Sequence, residues 1–313
     1  MTKQRYSHSM KYRISAYSIQ ELGQRSNQED SIYPPFSEKP SSGGLFILCD
    51  GMGGHAAGEV ASQTVCETMS KFVEEHLREN GLFEEEDFNA ALNAAYDVLD
   101  ARDNGDEKKM GTTLTFVKFH KGGCFTAHIG DSRIYHIRPS EKQILHVTRD
   151  HSLVNNLIDL GEMTVEEAKT SRQKNVITRA MQPNQERSKA DCCNLTDLKV
   201  GDYLYMCSDG MLEEMEDREL VNILSLPQSD SKKIGILRGV TKDNRDNHSA
   251  LLIRIVSVGD DSLEVGRINA ESDPIKPVRK SRRLFWSILF LLLTIIIVLI
   301  AYFFLSGDLQ LLE

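Results

Sequence analysis

Leu45-Phe46-Ile47-Leu48-Cys49-Asp50-Gly51-Met52-Gly53-Gly54-His55 is an apolar run that ends on an acid and then on glycines. The run reads as a buried strand, and Asp50 falls at its open end, where the backbone is built to bend. Beyond the bend Ala61, Val65, Met69, Phe72 and His76 recur at helical spacing across residues 55–77. An aspartate between a strand and a helix says little alone, but this one has companions. Arg25-Ser26-Asn27-Gln28-Glu29-Asp30 precedes it, Gly130-Asp131-Ser132-Arg133 follows, and Cys207-Ser208-Asp209-Gly210 and Asp246-Asn247 come later. Each acid borders an apolar, strand-like run. Strand ends that converge in a sheet gather such groups into a cluster of hard oxygen ligands, suited to Mg²⁺ or Mn²⁺ rather than zinc.

Outward from this stretch, residues 14–22 read as a strand and residues 34–44, with three prolines and two glycines, as a loop. Phe88, Ala91, Leu92, Ala95, Val98 and Leu99 give a second helix. Residues 113–120 and 124–129 flank a hairpin signal at Lys121-Gly122-Gly123, and 133–138 continue the meander. Residues 153–180 are mixed and helical, with a capping box at Thr164-Val165-Glu166-Glu167. Residues 202–207 and 250–256 read as strands on either side of a helical stretch at 217–226. Paired helices between runs of strands predict a layered α+β body, not a doubly wound parallel sheet.

The 313 residues carry a net charge of −9. The one basic cluster, Lys276, Arg279, Lys280, Arg282 and Arg283, leaves −14 on the rest, so no nucleic-acid-binding stripe exists in the body of the chain. A body this acidic could face an anionic ligand only with bound cations that reverse the local sign. Six cysteines without Cys-x-x-Cys spacing point to a reducing compartment, and residues 1–13 lack the apolar core of a secretory signal. Residues 257–280 turn polar, with Pro274 and Pro277, and read as a linker. Residues 284–305 are uninterrupted by charge. As a helix they would extend roughly 33 Å, enough to cross a bilayer core of about 30 Å. The basic cluster just before them predicts a tail anchor with the large N-terminal part in the cytosol.

In this order the blocks closely resemble the metal-dependent Ser/Thr protein phosphatases, the PPM or type 2C family, in its bacterial form. Met110-Gly111-Thr112-Thr113-Leu114-Thr115, Thr148-Arg149-Asp150-His151-Ser152-Leu153-Val154 and Asn175-Val176-Ile177-Thr178-Arg179-Ala180 extend the resemblance over about residues 14–256. It implies a four-layer α-β-β-α sandwich of two antiparallel sheets flanked by helices, to which the C-terminal transmembrane helix adds. The domain would occupy residues 13–257, between a tail at 1–12 and a polar and basic linker at 258–283, with a short tail at 306–313. It implies hydrolysis of phosphoserine and phosphothreonine in proteins by a two-metal-activated water. Asp50 would bridge two cations, Mn²⁺ or Mg²⁺, helped by the carbonyl of Gly51. Asp209 and Asp246 would hold one of them, and Glu29 the other through water. Asp30 stands between ligand and support. Asp131 would help Asp209 hold a third, weaker cation, and Arg25 would clamp the substrate phosphate. The implied partners are phosphoproteins, with a membrane-linked Ser/Thr kinase and its targets the natural setting.

The chain departs from the family in places. Met52 stands where eukaryotic relatives have a histidine after Asp-Gly, and His55, three residues on, reads as a helix cap, so the general acid is unassigned. Asp243-Asn244 replaces a Gly-Gly pair, where Asn can supply left-handed backbone. Residues 153–172 resemble the flap beside the active site. Rival chemistries fail on spacing. No cysteine has an arginine six residues later, and no Asp-x-Asp pair occurs. Gly51-x-Gly53-x-x-Ala56 imitates a dinucleotide loop, but no β-α-β unit continues it. The alternative of a different class is a catalytically inactive relative that binds phosphoproteins as a scaffold at the membrane.

Overall fold

A computed structural model describes residues 12–53, 57–76, 81–103 and 110–259. The elements in chain order are β1 (Tyr12–Glu21), β2 (Asp30–Tyr33), β3 (Leu45–Met52), α1 (Ala57–Glu75), α2 (Glu85–Ala101), β4 (Gly111–Thr112) and β5 (Leu114–His120). They continue with β6 (Gly123–Ile129), β7 (Arg133–Arg138), β8 (Gln143–Val147), α3 (Leu153–Asp159), α4 (Val165–Thr170), β9 (Asp191–Leu195) and β10 (Tyr203–Cys207). A 3-10 turn at Asp209–Leu212, then α5 (Asp217–Leu224), α6 (Asp230–Thr241) and β11 (His248–Val258), complete the order.

The strand at 45–52 shows how the layers arise. Successive side chains of a strand face opposite sides of a sheet. Leu45, Ile47 and Cys49 enter a core with α1 and α2, whereas Phe46 and Leu48 enter a different core with residues of β1, β10 and β11. A continuous apolar run therefore means a strand buried on both faces. In β10 the same alternation sends Leu204 and Met206 inward, and Tyr203, Tyr205 and Cys207 outward into a third core with α5 and α6. Three cores separate four layers: a helix pair, two sheets and a helix pair. One sheet has the strand order β1-β11-β10-β7-β8 and the other β2-β3-β5-β6-β9, with β4 paired to β3. Every pairing is antiparallel.

Aromatic packing anchors the α1–α2 side. Phe88 meets Phe116 at 5.2 Å between centroids and Phe125 at 5.5 Å, and Phe83 stacks on Phe116 at 5.6 Å. Phe88 is fully buried, so truncating it to alanine should cost about 3–5 kcal/mol. The expected strands, the α2 helix and the hairpin at 121–123 lie where the sequence placed them. β2, β4, β8, β9 and α6 were not foreseen. His55, residues 260–283 and residues 284–305 fall outside the described residues, whereas Ser257 and Val258, read as the start of the linker, belong to β11. Among the described residues no helix is long and apolar enough to cross a membrane.

Candidate metal centre

The acidic residues converge from strand ends and adjoining turns of both sheets. Antiparallel pairing of β2 with β3 sets Asp30 directly opposite Asp50. The turn after β10 brings Asp209, the turn after β6 brings Asp131, and the loop before β11 brings Asp246. Burial, then the carboxylates of Asp30, Asp209, Asp131 and Asp246, push the Asp50 carboxyl well above its ordinary range. Burial raises Asp30 to about 7 against the opposing bond from Ser208. Burial and then Asp209 raise Asp131 to about 7, and burial and then Asp246 raise Asp209. Desolvation and like charge act in the same direction at each position. Asp30 Oδ1 and Asp131 Oδ1 are buried without a hydrogen-bond partner. Orphaned carboxylate oxygens in a ring of mutually repelling acids fit hard divalent cations, which would supply the missing charge.

Second contacts fix each group. Asp50 N–H donates to Thr113 Oγ1 at 2.9 Å, and its carbonyl accepts from Thr113 N–H at 2.8 Å and Thr112 Oγ1 at 2.9 Å. Thr113 Oγ1 lies 2.8 Å from Ser132 Oγ, which ties the Asp50 strand to the Asp131 turn. Ser208 donates to Asp30 Oδ2 at 2.8 Å. Gly51 has a packing reason beside the expected carbonyl ligation. A Cβ there would stand 2.2 Å from the Gly58 carbonyl oxygen and 2.6 Å from that of Glu29, so only glycine lets α1 cross β3 at this depth.

The two substrate-side residues meet each other. Arg25 Nη2 donates to Asp246 Oδ2 at 2.6 Å, which puts the expected phosphate clamp directly on an expected metal ligand. Glu29 is held chiefly through its backbone. Its N–H donates to Asn247 Oδ1 at 2.8 Å, and its carbonyl accepts from Gly51 N–H at 3.0 Å and from Ser62 Oγ at 2.5 Å. Its carboxylate is approached by the Asn27 amide at 3.5 Å. Asn247 has a role that no local pattern signals. The buried amide also donates to Leu22 O at 2.8 Å and Asn27 O at 3.1 Å, so one side chain clamps the whole Arg25–Glu29 loop.

Asn244 corrects an expectation. It does not take left-handed backbone: among the described residues only Lys142 and Asn184 do so without being glycine. Its buried side chain instead donates to Gly210 O at 2.6 Å, stapling the Asp246 loop to the Asp209 turn. A neighbouring turn cue could not reveal this, because the partner lies 34 residues away.

A cleft of about 600 Å³ opens from Asp131, Asp209 and Asp246. Arg133, held by two 2.7 Å bonds to Asp150, forms one wall. Val154 and Ile158 of α3, Ala168 and Lys169 of α4, and Lys174 line the far side, so residues 153–172 do border the site.

Residues 22–231 match the family described as "Protein phosphatase 2C". A Serine/threonine protein phosphatase PstP of Mycobacterium tuberculosis is 34% identical over 206 residues, which is 65% of this chain and 37% of that one. This chain therefore aligns with little more than a third of that relative's length. A Streptococcus pyogenes protein named "Putative protein phosphatase 2C-type" is 35% identical over 227 residues, covering 70% of this chain and 90% of its own. Among solved structures, the catalytic domain of PstP in complex with 2 manganese ions superposes with a TM-score of 0.63 at 28% identity, over 78% of this chain and 99% of that one.

Proposed function

The chain belongs to the protein phosphatase 2C family, and on that footing we propose that it hydrolyses phosphoserine and phosphothreonine in proteins. The observation that carries this reading is the convergence of Asp30, Asp50, Asp131, Asp209 and Asp246, two of them with orphaned oxygens, beside a cleft that Asp131, Asp209 and Asp246 line.

Asp50, Asp209 and Asp246 would hold two Mn²⁺ or Mg²⁺ ions with the Gly51 carbonyl, and Glu29 would reach one of them through water. Asp131 and Asp209 would hold a third. Asp30, whose second oxygen already accepts from Ser208, would brace Asp50 from across the strand pair. Bound cations of this kind acidify water and neutralise phosphoryl oxygens. The chain's own part is positioning. Thr112 and Thr113 fix the Asp50 backbone, and Asn247 sets the loop that carries Arg25. Arg25, about half exposed, can turn its planar fork from Asp246 to a substrate phosphate. Buried and half-buried acids would thus hold the ions, and an exposed cation would meet the substrate.

Residues 284–305 would tether the enzyme to a membrane, with the catalytic body on the cytosolic side. The length of the uncharged stretch and the preceding basic cluster support this. The substrates would then be phosphoproteins near that membrane, including those of a Ser/Thr kinase located there.

The test is hydrolysis of a phosphothreonine peptide and of an aryl phosphate ester with and without Mn²⁺. Turnover should require the ion, and Asp209→Asn should lower kcat by at least about 10³. Wild-type turnover that survives complete chelation would overturn the mechanism. A full chain released from membranes by high salt alone would overturn the tether.

A further inference from the structure

His151 sits outside the acid cluster, yet it joins two parts of the cleft. Its main-chain N–H donates to Gly130 O at 2.9 Å, and the Gly130 N–H donates back to its Nδ1 at 3.1 Å. Gly130 immediately precedes Asp131 and takes φ +104, where a Cβ would stand 2.6 Å from the Thr113 side chain. The turn that carries Asp131 is thus gripped by His151 from both sides of one residue. On the other side, Thr178 N–H donates to His151 O at 2.8 Å, Ser152 bridges Ile177, and Leu153 N–H donates to Val176 O at 2.8 Å. These bonds close the neck of the flap formed by α3, α4 and the segment to residue 177.

The ring's surroundings hold it in one orientation. With Nδ1 accepting, the ring proton lies on Nε2 and points to Asp191 Oδ2 at 3.0 Å. Arg179 Nη1 donates to Asp191 Oδ1 at 2.9 Å and stands 3.1 Å from Nε2. The buried His128 ring stacks on it at 4.5 Å, inclined by 16°, with its own Nε2 donating to Arg149 O at 2.9 Å. His128, His151 and Asp191 lie close enough to suggest a second ion site, but nearly parallel stacked rings cannot aim two lone pairs at one ion, and Arg179 already occupies the approach to Asp191.

We propose that His151 is a positioning residue that couples the flap to the Asp131 turn, so that holding a cation at Asp131 and ordering the flap favour each other. The proposal rests on the phosphatase reading only in taking Asp131 as a cation ligand. The coupling is reciprocal by linkage: an ion that steadies the turn steadies the flap neck, and a flap pinned by substrate tightens the ion. Both sides of the link line the same cleft, Asp131 on one and Ser152, Val154 and Lys169 on the other.

Trypsin tests this without reference to turnover, because Lys169, Arg172 and Lys174 are exposed on the flap. The full chain in mild detergent is digested with chelator and across a Mn²⁺ titration, and the cuts after these three residues are followed by mass spectrometry. Mn²⁺ should slow them several-fold in the wild type, and Asp131→Ala should remove the part that appears at higher Mn²⁺. His151→Phe should restore fast cutting, by about tenfold for the lost bonds, and should lose the weakest bound Mn²⁺ counted by electron paramagnetic resonance. His151→Asn, whose Oδ1 can take the Gly130 N–H in place of Nδ1, should regain protection. Equal cutting of the wild type with and without Mn²⁺ would overturn the coupling. So would a His151→Asn protein that behaves like His151→Phe, since that pattern reports lost packing alone. If His151→Phe does not fold, the wild-type titration and Asp131→Ala still decide. A protein without turnover whose flap Mn²⁺ nevertheless protects would refute the phosphatase reading and leave the coupling standing.

Discussion

Replacing Asn247 with alanine isolates the clamp on the substrate loop. The side chain makes three hydrogen bonds, accepting from Glu29 N–H and donating to the carbonyls of Leu22 and Asn27, and the residue is 4% exposed. Each bond contributes about 1 kcal/mol net, and partners left dry cost somewhat more. The loss should therefore be about 3 kcal/mol. For a body of this size each 1 kcal/mol moves the midpoint by roughly 2–4 °C, which predicts a fall of about 6–12 °C. Scanning calorimetry with chelator present reads this without the masking that bound ions would add. Kinetics should show a second signature. Arg25 and Glu29 ride on the released loop, so kcat/KM on a phosphopeptide should fall by about 10²-fold even well below the melting range. A midpoint lowered by less than about 2 °C, with kcat/KM intact, would show that the loop is held by something other than this amide.

Other outcomes follow from the same geometry. Gly51→Ala should cost about 3 kcal/mol, because its Cβ would press on two backbone oxygens; normal expression and an unshifted melting point would count against the close crossing. Asp209→Asn should stabilise the chelated protein while abolishing turnover, since it removes one of several buried carboxylates that repel each other; a lower melting point for that variant would refute the repulsion. Acid stability should depend on Asp202, buried against Arg138 at 2.9 Å and His136 at 2.9 Å. Burial opposes its charge, but the bonds from His136 and Arg138 win and bring its carboxyl down to about 2 from 3.8. A depressed folded value means stability that is complete above pH 3.8 and lost as pH falls toward 2, about 2 kcal/mol in all. Urea titrations of wild type and Asp202→Asn between pH 5 and pH 2 should converge as pH falls; parallel curves would rule the linkage out.

What the sequence made legible depended on how local each signal was. The run at 45–49 is apolar at every position because β3 feeds a core on each face, and a burial pattern of that kind survives in one dimension. The acids at 50, 131, 209 and 246 were readable because each borders such a run. β8 was missed because its alternation is shallow on an exposed edge, and β9 because its five residues, Asp191–Leu195, hold only one buried side chain. α6 carries Gly235 and Gly239, which weaken its helical propensity, although a side chain at either would meet only open space. The roles of Thr113, Asn244 and Asn247 were out of reach for a different reason. Their partners lie tens to hundreds of residues away, and a lone amide or hydroxyl in a turn looks the same whether or not it clamps a distant loop.

The pairing of β1 with β11 fixes where the rest of the polypeptide must attach. Tyr12 lies opposite Val258 at one end of that ladder, and Glu21 opposite His248 at the other, next to Asp246. Eleven residues of strand run about 35 Å. The chain thus joins this body and leaves it at neighbouring points on the sheet, with the length of the longest strand separating them from the acid cluster. Anything carried at either junction, whether a purification tag, a fused reporter or a membrane segment, is joined at the far end from the cleft.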